Sequence, residues 1–333
     1  MTVLTIRDAL NSALHSLMAA DDKIIVLGED IRGGSGIKDG QELGGVFGVT
    51  RGLAAKFDAR VIDTPISETA FLGMATGAAM TGLRPVVEVM FCDFLGVCMD
   101  QLMNQAAKAR FLSNGRVPLP LTIRTTMGAG DGSGAMHSQA IYGMLATIPG
   151  LTVAAPSTPA DAAGLLKSAI LGDGPTVLME HKGLYGLEGE VTDGLPPVPF
   201  GKGRVAREGK DVTIVALSSM VHKATEAAEL LARDGIEAEV IDPRTVKPID
   251  SEMILASLAK TGRLLVVAED TAFAGFADAV ISVVARGGFD RLKAAPRKLT
   301  PPDTPVPYGR KAEAAWLPGA DDIAAAVRSL AGS

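Results

Sequence analysis

The chain has 333 residues, enough for about two domains with a core in each. Its net charge of −6, with both signs interspersed, excludes a nucleic-acid face and a basic membrane patch. Cys92 and Cys98 are the only cysteines and the four histidines are scattered, so neither a disulfide framework nor a Cys- or His-based metal centre is expected.

In chain order, residues 5–19 read as a helix and KIIVLGED as a buried strand that ends at Gly28 and Glu29. GGSGIKDGQELGGVFGV (33–49) follows, a loop dense in glycine that lacks the Lys-Ser/Thr ending of a phosphate-binding loop. Val61–Asp63 is a short strand, Pro65 breaks it, and Ser67 stands where an N-cap would precede a helix opening at Glu68. Gly73, Gly77 and Thr81 leave one face of that helix nearly bare. Glu68 therefore occupies a strand-to-helix turn, the place where α/β proteins put ligands, although a first-turn Glu also simply suits a helix dipole.

VVEVM is the next strand, with Phe91 and Phe94 at its end, and LGVCMDQLMNQAAKARFL reads as one long helix. LPLTIRT is a strand, and MGAGDGSGAMHSQ is a glycine-rich turn with His137 at the start of the next helix. LTVAAP (strand), 159–171 (helix) and PTVLMEHK (strand) complete a β-α-β pattern with short connections, which predicts a doubly wound parallel sheet over 1–185. Residues 186–211 are rich in Gly and Pro without periodicity and read as a linker. A second, smaller α/β domain over 212–333 carries strands at VTIVALS, AEVIDPR and RLLVVAED. Its helices are expected at 220–234, 250–260, 275–287 and 321–331, with KLTPPDTPVPYG as an extended segment. A mean hydropathy of +0.26 without a cleavable leader or a membrane-spanning segment suggests a cytoplasmic chain whose extra apolar surface is covered by partners.

The chemical signals, Glu29, Glu68, the Phe pair and His137, all follow strand ends of one parallel sheet. GDG at 130–132 and 172–174 resembles half of a thiamine diphosphate motif. That motif needs an Asn about thirty residues later, and no Asn follows Asn114. The metal and diphosphate half of such a site would have to come from elsewhere.

VIDTPISE, LGED, GLRPVVEVMF with DF, DQ and NQAAK, the HSQ after the glycine-rich turn, PGLTVAAPS and DTPVPYG together span almost the whole sequence. In these it closely resembles the β subunits of the thiamine-diphosphate-dependent dehydrogenase component of 2-oxo acid and acetoin dehydrogenase complexes, members of the transketolase-like superfamily. The long loop after Glu29, DFLGVCMDQ and EHKGLYGLEGEV look most like acetoin dehydrogenase β. Pyruvate or a branched-chain 2-oxo acid are the alternative substrates.

The resemblance implies a pyrimidine-binding domain followed by a transketolase C-terminal domain. It also implies an α2β2 heterotetramer with an unlike α subunit that holds magnesium and the diphosphate, and a lipoyl-bearing dihydrolipoamide acyltransferase as partner. Glu68 matches the carboxylate that hydrogen-bonds the pyrimidine N1′ and so favours the imino tautomer that deprotonates the thiazolium ring; burial suits it by favouring the protonated carboxyl. Phe94 matches the aromatic packed on the pyrimidine, Met90 and Ile66 line the same slot, and Glu29 matches a second acid beside it. His137 matches the histidine facing the reacting centre, able to move protons or receive the lipoyl arm. Some relatives hold a potassium ion on backbone carbonyls, here equivalent to Leu121, Ala169, Ile170 and Asp173. A non-catalytic assembly subunit and a self-sufficient transketolase-like synthase are the competing readings. The intact Glu68, Phe94 and His137 oppose the first, and the missing GDG-Asn motif opposes the second.

Overall fold

The opening strand β1 (Thr2–Thr5) leads directly into α1 (Ile6–Ala20), because the Thr5 hydroxyl accepts the Asp8 N–H at 3.1 Å and caps the helix. β2 (Ile24–Gly28), α2 (Leu53–Phe57), β3 (Val61–Asp63), α3 (Glu68–Met80) and β4 (Arg84–Phe91) follow, then α4 (Ala107–Leu112) and β5 (Thr122–Met127). α5 (Tyr142–Ala146), β6 (Thr152–Ala154), α6 (Pro159–Leu171), β7 (Thr176–His181) and β8 (Glu188–Val191) complete the N-terminal half. The computed structural model describes residues 1–33 and 44–331; most of the 33–49 loop, and with it any ordering on cofactor binding, lies outside the described residues.

The first unit comprises Met1–Met127, Ala146–Glu180 and Leu184–Phe200. Its main strands run in the order β6-β7-β5-β4-β2-β3. The β2–β3, β2–β4, β4–β5 and β6–β7 pairs are parallel, as short crossovers through helices require. α1 and α6 cover one face, packing Leu10, Leu14, Ala162 and Leu166 with Val26, Val86 and Leu178. Side chains alternate along a strand, so Leu27 and Val87 point to the opposite layer, where α3 lies on β4. The doubly wound parallel sheet expected from the β-α-β pattern is present.

Two elements differ from the reading above. The stretch expected as one helix over 95–112 begins as a 3₁₀ segment at Cys92–Gly96, passes through a π-helical turn at Gln101–Ala106, and continues as a regular α-helix in α4. The π turn sets Gln101 against the glycine of α3, since a Cβ on Gly73 would stand 3.3 Å from Gln101 Oε1. The 186–211 stretch also contains strands: β8 pairs antiparallel with β1, and β9 (Arg204–Arg207) pairs antiparallel with β11 (Ala238–Asp242). Both have four residues, too short to show periodicity.

The second unit comprises Gly128–Leu145, His181–Gly183 and Gly201–Ser333. Besides β9 and β11 it contains β10 (Val212–Ala216), α7 (Ser219–Arg233), β12 (Thr245–Lys247), α8 (Ser251–Thr261), β13 (Leu264–Val267), α9 (Phe276–Gly287), β14 (Arg297–Leu299), α10 (Arg310–Trp316) and α11 (Ala320–Ala331). The sheet order is β14-β13-β10-β11-β9, parallel apart from β9. α7 and α11 pack Leu231, Val327 and Leu330 on Ile214 and Val240. Among the described residues no helix is long and apolar enough to cross a membrane.

Candidate active site

In the first unit, β2, β3 and β4 end side by side, and each hands a functional segment to the carboxyl edge of the sheet. β2 stops at Gly28, where a Cβ would lie 2.7 Å from the Glu88 carbonyl, so only glycine allows the close strand approach that releases Glu29 at this edge. β3 stops at Asp63, which accepts the Arg32 N–H at 2.8 Å, while Thr64 N donates to Gly28 O at 2.9 Å. After Pro65 the chain turns into α3 with Ser67 at the cap position, although its side chain makes no capping bond. Glu68 is the first residue of α3 and is buried, 9% exposed.

Glu29 and Glu68 are brought together. Burial pushes the Glu29 carboxyl above its ordinary value, and the negative charges of Glu68 and Asp30 push it further the same way. Glu29 Oε1 is buried and, among the described residues, has no hydrogen-bond partner, so it is open to a further donor. Burial also pushes the Cys98 thiol up to about 12, with the Glu68 charge as the second cause, so this cysteine is an inert wall residue. Both cysteines are free and buried.

Phe94 and Met90 are half-buried, and Ile66 is 85% exposed, an apolar side chain left open beside Glu68. Phe94 meets Phe91 edge-to-face at 5.5 Å, Phe91 meets Phe47 at 5.8 Å, and Phe47 meets Tyr185 at 5.3 Å. This row of rings ends on a charged cluster that sequence reasoning did not single out. Arg124 on β5 donates to Glu180 Oε1 (2.8 Å) and Oε2 (2.6 Å) on β7 and to Glu88 Oε2 (2.6 Å) on β4. The Tyr185 hydroxyl donates to Glu180 Oε2 at 2.6 Å. All four are buried. Burial keeps the Glu88 carboxyl above its ordinary value even though Arg124 pulls it down. The only local signal was the presence of charged residues inside otherwise apolar strands.

His137 belongs to the second unit. It does not start a helix: it ends the 3₁₀ turn Gly134–Met136, with φ −144° and ψ 12°, and helix resumes only at Tyr142. The glycines of the GDG at 130–132 serve this turn, with φ of +132° at Gly130 and +92° at Gly132.

The expected potassium positions Leu121, Ala169, Ile170 and Asp173 lie in the first unit, and three of them, Leu121, Ile170 and Asp173, already accept hydrogen bonds. Thr176 N donates to Leu121 O (2.9 Å), Leu119 N to Asp173 O (3.0 Å), and Arg84 Nη1 to both Ile170 O and Gly172 O at 2.9 Å. Arg84 Nη2 also lies 3.5 Å from the Asp173 carboxylate. Among the described residues no group of three or more His, Cys, Asp or Glu could hold a metal ion.

The family model described as transketolase, pyrimidine binding domain, matches residues 2–188, and that of the transketolase C-terminal domain matches residues 201–323. The acetoin:2,6-dichlorophenolindophenol oxidoreductase subunit beta of Cupriavidus necator is 48% identical over 98% of this chain and 96% of its own length. The pyruvate dehydrogenase E1 component subunit beta of Rickettsia bellii is 40% identical over 98% of each chain. The solved structure of a split-gene transketolase, an inactive β4 tetramer, matches with a TM-score of 0.80 at 26% identity, over 99% of both chains. The chain belongs to the transketolase-like family, as a β subunit of the thiamine-diphosphate-dependent dehydrogenase component of acetoin and 2-oxo acid dehydrogenases.

Proposed function

We propose that this chain is the β subunit of a cytoplasmic acetoin dehydrogenase, active as an α2β2 assembly with an unlike α subunit. The enzyme breaks the bond between the carbonyl and carbinol carbons of acetoin, releases acetaldehyde, and passes the acetyl group to the lipoamide of an acyltransferase. The observation that carries the reading is the pair of carboxylates at one sheet edge, Glu68 buried and Glu29 with an oxygen that has no partner among the described residues, at the edge where β4 ends and Phe94 follows.

These residues fit an aminopyrimidine. A flat ring with polar edges needs an apolar wall, which Phe94, Met90 and Ile66 supply, and acceptors at its edge, which Glu68 and Glu29 supply. Bound thiamine diphosphate supplies the carbanion chemistry that no side chain offers. Glu68 would hold a proton at N1′ from its sheltered position at the start of α3. Glu29 would accept from the ring substituents through Oε1. His137 would move a proton at the reacting carbons. Magnesium and the diphosphate would sit on the α subunit, consistent with the absence of any Asn after Asn114. Potassium would sit on the backbone carbonyls of Leu121, Ala169, Ile170 and Asp173, in competition with Arg84, which already brings a positive charge to Ile170 O.

Acetoin is preferred over pyruvate because identity is 48% to the acetoin relative and 40% to the pyruvate relative at equal coverage of this chain. Pyruvate is the second reading, and a branched-chain 2-oxo acid the third. Co-expression with an unlike α subunit, followed by dye reduction with either substrate in the presence of thiamine diphosphate, tests the choice. The proposal expects kcat/KM for acetoin to exceed that for pyruvate by roughly tenfold or more. A preference for pyruvate would contradict it.

A further inference from the structure

The loop that carries His137 is held from both sides by buried charges. Glu313, in the first turn of α10, is fully buried. Its Oε2 accepts the N–H groups of Gly130 and Gly132, both at 2.7 Å, and its Oε1 accepts the Gly134 N–H at 2.8 Å and the Ser138 hydroxyl at 3.4 Å. The loop can aim three N–H groups at one carboxylate only because these glycines have positive φ. From the other side, the Lys182 ammonium, its side chain 3% exposed, donates to His137 O (2.6 Å), Asp131 Oδ1 (3.0 Å) and Ser138 Oγ (3.0 Å). Burial alone would raise the Asp131 carboxyl; the bonds from Lys182 and Ser133 outweigh it and hold it below its ordinary value.

The polarity of the loop is thus sorted, donors toward an anion and acceptors toward a cation. The Ser138 hydroxyl joins the two charges by accepting from Lys182 and donating to Glu313. Two desolvated charges are a costly way to fasten a turn that apolar packing could hold. What they gain is definition, because the Lys182 bond ends on the carbonyl of His137 itself and both charges converge on the next residue.

We propose that Lys182 and Glu313 are positioning residues for His137, fixing its backbone so that the imidazole is presented in one place. The proposal rests on the reading that His137 acts in the reaction.

The test uses the α/β holoenzyme and three variants, His137→Ala, Lys182→Met and their double, with acetoin-dependent dye reduction followed across pH. The expected result is a fall in kcat of roughly 10- to 100-fold for Lys182→Met with KM little changed. Its pH–rate profile should coincide with that of His137→Ala, and the double variant should lose no more than His137→Ala alone, as residues acting through one another do. Lys182→Arg should restore part of the rate. If Lys182→Met fails to fold, Ser138→Ala removes the bridging hydroxyl without touching a charge, and should lower kcat several-fold with the same change of pH profile. Wild-type kcat and pH profile in Lys182→Met or Ser138→Ala, with His137→Ala impaired, would overturn the positioning role while leaving the His137 reading intact. Full activity of His137→Ala would overturn the reading and the positioning role together. Losses that add in the double variant would assign Lys182 a purely structural role and overturn the proposal.

Discussion

Glu29 and Glu68 are two like residues in different surroundings. Glu68 is buried at the start of α3, while Glu29 lies half-exposed with one oxygen that has no partner among the described residues and its carboxyl raised by burial and by Glu68. If Glu29 Oε1 receives a donor from the pyrimidine, Glu29→Gln should weaken thiamine diphosphate binding by the assembled enzyme about 10-fold or more, the worth of one hydrogen bond to a charged group. Calorimetric titration of the assembled, cofactor-free α/β enzyme with thiamine diphosphate checks this. Arg124 has a structural duty. Its removal would leave Glu88 and Glu180 buried without their cation, so Arg124→Met should cost about 3–5 kcal/mol in a denaturant titration. Neither Arg124 nor Glu313 was legible as a key residue from sequence, because each is defined by partners far along the chain. Arg124 meets Glu180, 56 residues away, and Glu313 meets Gly130, 183 residues away.

At the scale of elements, VIDTPISE could be read correctly because its parts are local: a β-branched strand, a proline break and a helix start in eight consecutive residues. The 159–171 helix was equally legible, with Thr158 capping it by accepting the Asp161 N–H at 3.2 Å. The long helix over 95–112 was misread because a single short π turn leaves little trace in the apolar pattern; in the structure Gln101 of that turn lies against Gly73 of α3. His137 was placed at a helix start because a histidine after a glycine-rich turn looks like one; the glycines instead serve Glu313 and delay the helix to Tyr142. Gly28 is an element-scale position sensitive to change. Gly28→Ala would press a methyl against the Glu88 carbonyl, and we expect a loss of about 1–3 kcal/mol of stability, read as a lowered midpoint of thermal unfolding.

For the molecule as a whole, stability should carry the mark of adjacent carboxyls that shift in opposite senses. Burial would raise Glu269, but the positive character of His181 and its hydrogen bond, with those from Ala129 and Ser219, hold it below its ordinary value. Its contribution is present above the unfolded carboxyl's value and is lost as pH falls through the folded one. Burial instead pushes Asp270 up to about 7, against the bond from Phe276 N at 2.7 Å. Its folded value exceeds the unfolded one, so its contribution is full below about pH 4 and is lost as pH rises toward 7. Asp270→Asn should keep the Phe276 bond and remove the second slope. Its melting temperature relative to the parent should therefore rise between pH 5 and pH 8, and an unchanged difference would show that Asp270 is charged in the fold throughout.

The central claim is that this β chain activates the cofactor through Glu68, and its most direct test is Glu68→Gln assembled with the α subunit. Acetoin turnover would be measured at saturating thiamine diphosphate, beside the parent enzyme. The account predicts a folded, assembled enzyme whose kcat falls at least roughly 100-fold, the scale of a lost general acid–base group. Turnover within about threefold of the parent, well short of that scale, would contradict it.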